Sequence, residues 1–385
     1  MKGFVTFLTI FLSVYILMHL TVYFWLRSVF ALRGPAAWTL AIGLFILLLS
    51  FPVGRWLTSS HAQPFSEVAL LTGYYWLGIL FCLFSMAFVG FAMLGLTRLF
   101  GTIVSIDAGK LTPFFARGTL AIIAILIVAM LIGHRTVRHP VLRTHRLAID
   151  RLPSSAAPLR IVQLSDLHID ELRSPEWFRP IVESVNALKP DLIALTGDII
   201  DGPPDRLSAF IPLLETLEAR HGVFGITGNH EYYIGARQTT EFLSGRGIIM
   251  LRNSVRTIPG VMHLIGLDDP SGTAHFGETP FDPDDLAKSL TPDLPIVLLY
   301  HQPRIPELPG QRPDLQLSGH THNGQIWPFT LLTGLVFELQ TGLHEVSPGR
   351  YVYVSSGTGI WGPPFRILTE SEITLFELTG RALTR

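Results

Sequence analysis

Two histidines flank a single threonine near the C-terminal end of the chain. They are His320 and His322, in the stretch LSGHTHNG at residues 317–324. Small and turn-forming residues surround the pair, which is typical of a tight turn and not of a packed helix or strand. Imidazole side chains act as metal ligands and as acids or bases near neutral pH. The spacing therefore indicates a chemical role for this turn.

Similar polar clusters follow four other apolar runs. LRIVQL runs into Ser-Asp-Leu-His, DLIALT into Gly-Asp, GVFGIT into Gly-Asn-His and PIVLLY into His-Gln-Pro. Such runs, alternating with predicted helices at 175–188 and 205–220, indicate βαβ units and a largely parallel sheet. Ligands collect at the carboxyl ends of the strands in such sheets. We therefore expect one rim to carry Asp166, His168, Asp198, Asn229, His230, His301, His320 and His322.

These side chains are imidazoles, carboxylates and an amide, with no thiolate, which suits divalent ions that accept nitrogen and oxygen ligands. Two such ions a few ångströms apart need a shared carboxylate, because the ions repel each other. Paired ions clamp the attacking and leaving oxygens of an in-line displacement and generate hydroxide at neutral pH. The residue types therefore predict hydrolysis of phosphate esters.

The five clusters, in this order, resemble the signature of the calcineurin-like metallophosphoesterases. The motifs are SDLH, ALTGDIID, GITGNHEYY, LLYHQP and LSGHTHNGQIWP, within residues 159–378. LRNSV, IGLDD and SSGTGIWGPP narrow the resemblance to membrane proteins that join several N-terminal spans to one such C-terminal domain. The resemblance implies an α/β/β/α sandwich over residues 159–385 and a hydrolase that cleaves phosphodiester or pyrophosphate bonds through a metal-bridging hydroxide.

The resemblance also implies a role for each polar residue. One ion would be held by Asp166, His168, Asp198 and His322, and the other by Asp198, Asn229, His301 and His320. His230 would protonate the leaving oxygen, and Asp201 would orient it. Two residues depart from the family pattern, since Glu231 replaces a frequent Asp and Asn323 a frequent Gly. The two ions could be Mn²⁺, Fe, Zn²⁺ or Mg²⁺, which overlap at mixed nitrogen and oxygen sites.

The first third of the chain has the composition of a membrane region. Apolar stretches long enough to cross the hydrocarbon core as helices lie at residues 4–26, 36–53, 68–97 and 111–133. His19 lies in the first stretch, and we interpret it as a helix–helix hydrogen-bonding group and not as a proton relay. We therefore predict a four-helix transmembrane region over residues 1–134, followed by a basic connector over residues 135–158.

Charge is unevenly divided along the chain. Residues 152–385 hold 17 basic and 27 acidic side chains, so the domain lacks the basic surface that nucleic acid requires, and we expect no nucleic-acid partner. Five arginines cluster just after the last predicted span. By the positive-inside rule this favours a multi-pass protein of the cell (inner) membrane with a cytoplasmic catalytic domain.

Two other classes of function fit parts of the sequence. A non-catalytic module could use the same fold to bind or sense a phosphorylated ligand, although the complete ligand set argues against it. A transporter with a regulatory domain is disfavoured, because no carboxylate interrupts the spans. The resemblance allows phospholipids, nucleotide-linked lipids such as UDP-diacylglucosamine, nucleotides and phosphoproteins as substrates. Tethering favours a lipid-linked substrate, with simple localisation as the alternative.

An apolar segment, IWPFTLLTGLVFEL, begins four residues after His322 and spans residues 326–339. Glu338 is its one charged residue. A segment with so many apolar side chains must be shielded from water. The first interpretation is burial in the core of the domain, and the second is contact with the bilayer, where Trp and Phe suit the interface.

Overall fold

The computed structural model describes residues 2–59, 65–104, 112–153, 157–308 and 312–380. The chain divides into two compact units. The first comprises Met1–His134 and Gly362–Ile367, and the second comprises Arg135–Trp361 and Leu368–Arg385. Leu111, where the fourth predicted span begins, lies outside the described residues.

The described residues of the N-terminal region form four long helices. They are α1 Lys2–Val29, α2 Gly34–Ser59, α3 Phe65–Val104 and α4 Thr112–Arg138. Each contains a stretch long and apolar enough to cross a membrane, so the four predicted helices are present with the length and composition of spans. Only between 11% and 39% of each stretch is buried inside the protein. Lipid is the cover that suits the remaining apolar surface.

His19 links two of these helices through hydrogen bonds. Its Nε2 accepts from the indole N–H of Trp76 at 2.8 Å, and its Nδ1 donates to the carbonyl oxygen of Tyr15 at 2.8 Å. Because both ring nitrogens are engaged in these contacts, the structure agrees with the interpretation of His19 as a helix–helix hydrogen-bonding group.

The short segment Gly362–Ile367 packs within the helical unit. Phe365 is fully buried, and its ring stacks on Tyr75 of α3 at 6.2 Å between centroids. Nδ1 of His134, in α4, lies 3.1 Å from the carbonyl oxygen of Pro364. Arg366 is buried in the same unit.

The described part of the second unit forms two six-stranded sheets. The first has the order β1-β12-β2-β3-β4-β5, with β1 Val141–Ile149, β2 Leu159–Leu164, β3 Leu192–Leu195, β4 Val223–Gly225, β5 Ile248–Met250 and β12 Glu372–Gly380. The second has the order β10-β11-β9-β8-β7-β6, with β6 Ser254–Ile258, β7 Met262–Gly266, β8 Ile296–Leu299, β9 Leu315–Ser318, β10 Gly342–Ser347 and β11 Arg350–Val354. Strands β2 to β5 are mutually parallel, as are β7, β8, β9 and β11.

Helices cover the outer faces of this pair of sheets. The described helices of this unit are α5 Pro175–Ala187, α6 Ile211–Glu215, α7 Asn229–Ile234, α8 Ala236–Ser244, α9 Pro270–Phe276, α10 Pro283–Lys288 and α11 Phe329–Val336, of which α11 is largely exposed. Ile161 of β2 packs in the core between the sheets, while the next residue, Val162, packs with Phe178 of α5. On the other sheet, Leu298 packs with Leu286 of α10. Burial of both faces confirms the predicted α/β/β/α sandwich.

Two predictions of local structure were wrong. The segment predicted as a connector contributes β1, which pairs in parallel with β12 along its whole length, because Leu147 and Ile149 bury apolar side chains there. The helix predicted at 205–220 is reduced to two short 3₁₀ turns and the five-residue α6. Pro212 explains this break, since a proline cannot donate the backbone hydrogen bond of a helix interior and is tolerated only in the first turn, where it lies in α6.

Candidate active site

The predicted polar side chains lie in five loops that follow parallel strands. Asp166 and His168 follow β2, Asp198 and Asp201 follow β3, Asn229 and His230 begin α7 after β4, His301 follows β8, and His320 and His322 follow β9. The carboxyl ends of these strands therefore bring to one rim the eight residues that the sequence predicts there, together with Asp201.

The backbone of this rim is held in uncommon conformations. Five of the nine residues have positive φ angles between 46° and 71°, namely Asp166, His168, Asp198, His320 and His322. L-amino acids seldom adopt these angles outside turns and functional sites. Asn323 also takes a left-handed conformation, with φ 51° and ψ 35°, as expected of an asparagine in place of glycine.

Glycines allow the loops to approach one another. A Cβ atom on Gly319 would lie 2.0 Å from Oγ of Ser165 and 2.2 Å from Oδ2 of Asp166. A Cβ atom on Gly228 would lie 2.1 Å from Oδ1 of Asp198. These distances are far below any real contact, so only glycine permits the packing of both carboxylates.

Three side chains form a first cluster whose donor atoms all lie within 4.8 Å of one another: Asp166, His168 and His322. Nε2 of His322 is 3.3 Å from Oδ1 of Asp166 and 3.0 Å from Nε2 of His168. Two imidazole nitrogens this close need a proton or a cation between them. The cluster therefore has the donor atoms and the spacing of a metal site.

A second cluster of the same size consists of Asp198, His301 and His320. Nε2 of His301 is 3.2 Å from Oδ2 of Asp198 and 3.2 Å from Nδ1 of His320. Nδ1 of His301 donates to the carbonyl oxygen of Thr196 at 2.8 Å. That bond places one ring proton on Nδ1 and turns Nε2 toward Asp198. Burial would lower the pKa of His301, but the charge of Asp198 raises it well above its usual value, so a cation bound at Nε2 would displace a proton.

Asp198 belongs to the second cluster and also approaches the first. Its Oδ2 is 3.2 Å from Nε2 of His301 and 3.7 Å from Nε2 of His168. Asn229, which directly precedes His230 in the chain, is buried. Its Oδ1 has no hydrogen-bond partner among the residues that the structure describes. A buried amide oxygen without a donor is costly, so this atom also suits a bound cation.

The electrostatics of the clusters favour ionised carboxylates. Burial alone would raise the pKa of Asp198, but the neighbouring histidines, with His301 first, outweigh it and hold the pKa well below its usual value. The same balance, led by His322, lowers the pKa of Asp166. Burial and the charge of His301 lower the pKa of His320 to about 4. His320 is therefore neutral at pH 7, as a metal ligand must be.

Asp201 contacts two histidines with its two carboxylate oxygens. Oδ1 accepts a hydrogen bond from Nδ1 of His230, and Oδ2 lies 3.2 Å from Nδ1 of His168. Burial would lower the pKa of His230, but the charges of Asp198 and Asp201 outweigh burial and raise it to about 9. Asp201 thus orients a histidine of the first cluster as well as His230.

Glu231 has a role that sequence reasoning missed. Its carboxylate is fully buried and accepts four backbone N–H groups, those of Asp198 at 3.0 Å, Ile199 at 2.7 Å, Ile200 at 3.2 Å and Gly228 at 2.7 Å. Burial raises the pKa of Glu231 to about 7, assisted by the charge of Asp198. The residue therefore ties the loop after β3 to the start of α7. Its position directly after Asn229 and His230 was the only signal in the sequence.

Apolar and aromatic residues flank the polar rim. The Trp361 ring lies 6.0 Å from that of His230 and is about half exposed. The Phe337 ring packs edge-on against His320, with 5.4 Å between centroids. Residues Phe329–Val336 of the segment 326–339 form α11, of which only Thr333 is buried, and Ile326 before the helix is buried as well. Burial of this segment in the core of the domain, the first interpretation, is therefore wrong.

Comparison with known proteins gives one family. The model of a family described as "Calcineurin-like phosphoesterase" matches residues 159–324. An uncharacterized metallophosphoesterase of Aquifex aeolicus is 31% identical over 259 residues, which cover 67% of this chain and 98% of that protein. Another uncharacterized metallophosphoesterase, from Helicobacter pylori, is 37% identical over 222 residues, and the match covers 57% of this chain and 60% of that protein's length.

One similar protein extends the match into the N-terminal helices. It is a bovine "transmembrane protein with metallophosphoesterase domain", 30% identical over 380 residues that cover 92% of this chain and 85% of its own. A match that omits so little of the chain includes most of the helical region. The match therefore extends into the helical region of this chain.

Proposed function

Because the chain belongs to the calcineurin-like metallophosphoesterase family, we propose that it is a membrane-anchored hydrolase of phosphodiester or pyrophosphate bonds that uses two divalent metal ions. The observation that supports this most is the place of Asp198. Its carboxylate is within 3.7 Å of a histidine from each cluster. A carboxylate so placed can serve two ions at once.

The donor atoms fit such a pair of ions. Asp166, His168, Asp198 and His322 would hold one ion, and Asp198, Asn229, His301 and His320 the other. All donor atoms of this set are nitrogen or oxygen, which suits Mn²⁺, Fe, Zn²⁺ or Mg²⁺. One of them is Oδ1 of Asn229, which has no hydrogen-bond partner among the described residues. When bound, the ions would supply hydroxide at neutral pH and neutralise charge on the phosphoryl oxygens.

The remaining residues would donate a proton or hold other side chains in place. His230 would donate a proton to the leaving oxygen, which makes departure of an alkoxide easier. Asp201 would hold the His230 ring by accepting a hydrogen bond from its Nδ1–H, so that Nε2 is the nitrogen that reaches the substrate. Glu231 would keep Asp198 in place through the backbone N–H groups it accepts.

The substrate proposed is a phosphoester carried by a lipid. Four spans in the same chain keep the hydrolase at a bilayer, which raises the local concentration of membrane substrates. The arginines after the last span support a cytoplasmic catalytic unit in the cell (inner) membrane. A reporter fused after Arg385 that is active only outside the cytoplasm would contradict this orientation.

A substrate and metal screen tests the proposal. The full-length protein in nanodiscs, stripped of metal, is assayed with Mn²⁺, Fe²⁺, Zn²⁺ and Mg²⁺ in turn. Phosphomonoesters, bis(p-nitrophenyl) phosphate and a lipid pyrophosphate serve as substrates, with Asp198→Ala as the control for contaminating phosphatases. We expect metal-dependent hydrolysis by the wild type alone. Binding of a phosphorylated ligand without turnover under every condition would instead identify a sensor module.

A further inference from the structure

An exposed apolar surface lies beside the polar rim, on and around α11. We define this apolar lip by six residues: Trp327, Phe329, Leu331, Leu332, Leu335 and Val336. All six are exposed, and Leu335 reaches 84% of its full accessibility. Large apolar side chains seldom gather on a solvated surface, because each costs free energy in water. The lip therefore has the properties of an interface.

The lip is attached rigidly to the loop that carries two predicted ligands. α11 begins seven residues after His322, and a Cβ atom on Gly324 would lie only 2.3 Å from the backbone nitrogen of Thr330. At the other end of the helix, the Phe337 ring packs against His320. Any surface that the lip contacts is consequently a neighbour of the polar rim.

Charge around the lip favours a phosphate-bearing surface. Within residues 326–339 the one charged side chain is Glu338. The Arg304 guanidinium lies 5.9 Å from the centroid of the Phe337 ring and is exposed. A cation at the edge of an apolar patch matches a layer of phosphate headgroups above acyl chains.

The chain itself supplies such a surface. Only His139 and Pro140 separate the end of α4 from the start of β1, so a short stretch of chain tethers the unit that carries the lip to the membrane that α4 is proposed to cross. Eight residues of helix extend about 12 Å, far less than the roughly 30 Å of the hydrocarbon core. α11 is therefore long enough to lie in the membrane interface and too short to cross it.

We propose that the apolar lip inserts into the headgroup region of the phospholipid bilayer, beside the predicted metal ligands. Trp327 and Phe329 are the residue types that prefer this region, and the leucines contact the first acyl carbons. The contact brings the polar rim to the depth of lipid phosphates. This last consequence rests on the proposed function, whereas the contact itself does not.

Quenching by lipid nitroxides tests the contact. Cys82 is the only cysteine of the chain, so a Cys82→Ala background accepts a single label at Leu335→Cys, or at Arg237→Cys as the control. The control side chain is 91% exposed and lies on α8. Each full-length protein is labelled with nitrobenzoxadiazole and placed in nanodiscs of phosphatidylethanolamine and phosphatidylglycerol, with or without a phospholipid carrying a nitroxide near its headgroup.

We expect quenching at position 335 to exceed that at position 237 by about twofold or more, because nitroxides act only at contact distance from the interface. Equal quenching at both positions overturns the proposal. A blue-shifted label at position 335 without added quenching also overturns it, and shows instead that protein covers the lip. Comparing the label in nanodiscs that hold one copy of the protein with nanodiscs that hold two then shows whether the covering protein is the chain's own helices or a second copy.

Hydrolysis provides a second readout. In a variant with Leu332→Ser and Leu335→Ser, we expect an unchanged kcat/KM for bis(p-nitrophenyl) phosphate and a loss of about tenfold for a nanodisc-embedded lipid pyrophosphate. Equal losses on both substrates contradict a role in membrane contact. Failure of the wild type to hydrolyse either compound would refute the proposed function and leave the quenching result intact.

Discussion

The carboxylate of Glu231 accepts the backbone N–H of Asp198 at 3.0 Å, and three further backbone N–H groups converge on the same side chain. Removing it in Glu231→Ala leaves four buried donors without an acceptor, each costing about 1–3 kcal/mol if water does not replace it. Glu231→Gln should also be destabilised, because its side-chain N–H₂ would face two of these backbone N–H donors. We expect a lower melting temperature and reduced metal content for both variants.

Thermal unfolding and metal analysis of the full-length variants measure these effects. Glu241→Gln is the matched control, since Glu241 is an exposed partner of Arg237 on α8. Removing an exposed ion pair changes stability by less than about 1 kcal/mol. A Glu231→Ala protein with the melting temperature and metal content of the wild type would show that the four hydrogen bonds contribute nothing.

The position of Asp198, in the second cluster and close to the first, leads to a prediction about metal content. Asp198→Ala should lose both ions and all hydrolysis, because each ion loses a ligand and the two then repel each other without a shared anion. Asp166→Ala should lose metal mainly at one site. Elemental analysis after dialysis against buffered metal distinguishes these outcomes. Two ions per chain retained by the Asp198 variant would refute its assignment as the shared ligand.

His230 makes no contribution to either proposed ligand set, so His230→Ala should keep both ions. Turnover should fall by about 10²–10⁴-fold, the usual effect of losing a positioned acid. The loss should be smaller for p-nitrophenyl esters than for alkyl esters, because p-nitrophenolate leaves without a proton. Equal losses on the two ester classes would argue against proton donation.

Asp201→Asn should give a weaker form of this phenotype together with a partial loss of metal. The reason is that Asp201 contacts His168 as well as His230. An asparagine accepts one of the two hydrogen bonds and presents a donor to the other ring. Metal titration of this variant should show weaker binding of one ion only. Unchanged affinity for both ions would mean that the contact with His168 has no influence on the first cluster.

The sequence predicts which side chains lie at the polar rim because each proposed ligand follows its strand directly. Asp166, Asp198 and His301 are within three residues of a strand end, so recognising the strand also locates the side chain at the rim. The role of Glu231 escaped prediction for the opposite reason. Its acceptor function depends on backbone groups about 30 residues away along the chain, which no local pattern reveals.

Long-range pairing explains the other differences. β1 pairs with β12, whose residues lie more than 220 positions later in the chain. The arginines of β1 give this segment the composition of a basic connector. Those arginines pair with acidic residues of β12, as Arg143 does with Glu372 at 2.9 Å. The location of α11 was open for a related reason. Apolar composition requires a cover, but it does not distinguish a protein core from a bilayer.

The last prediction compares two glycines that the structure places in opposite circumstances. A Cβ atom on Gly319 would lie 2.2 Å from Oδ2 of Asp166, whereas the nearest atom to a Cβ on Gly334, in α11, is 3.6 Å away. Gly319→Ala must therefore displace Asp166 or the turn that carries His320. We expect impaired binding of one ion and a loss of hydrolysis on the order of 10²-fold, as a displacement of about 1 Å can cause. Gly334→Ala meets only ordinary contacts and gains helix propensity, so metal content and hydrolysis should be unchanged. Metal analysis and initial rates on bis(p-nitrophenyl) phosphate provide the measurement. Wild-type metal content in Gly319→Ala would show that the close approach of these two loops is not required for the site.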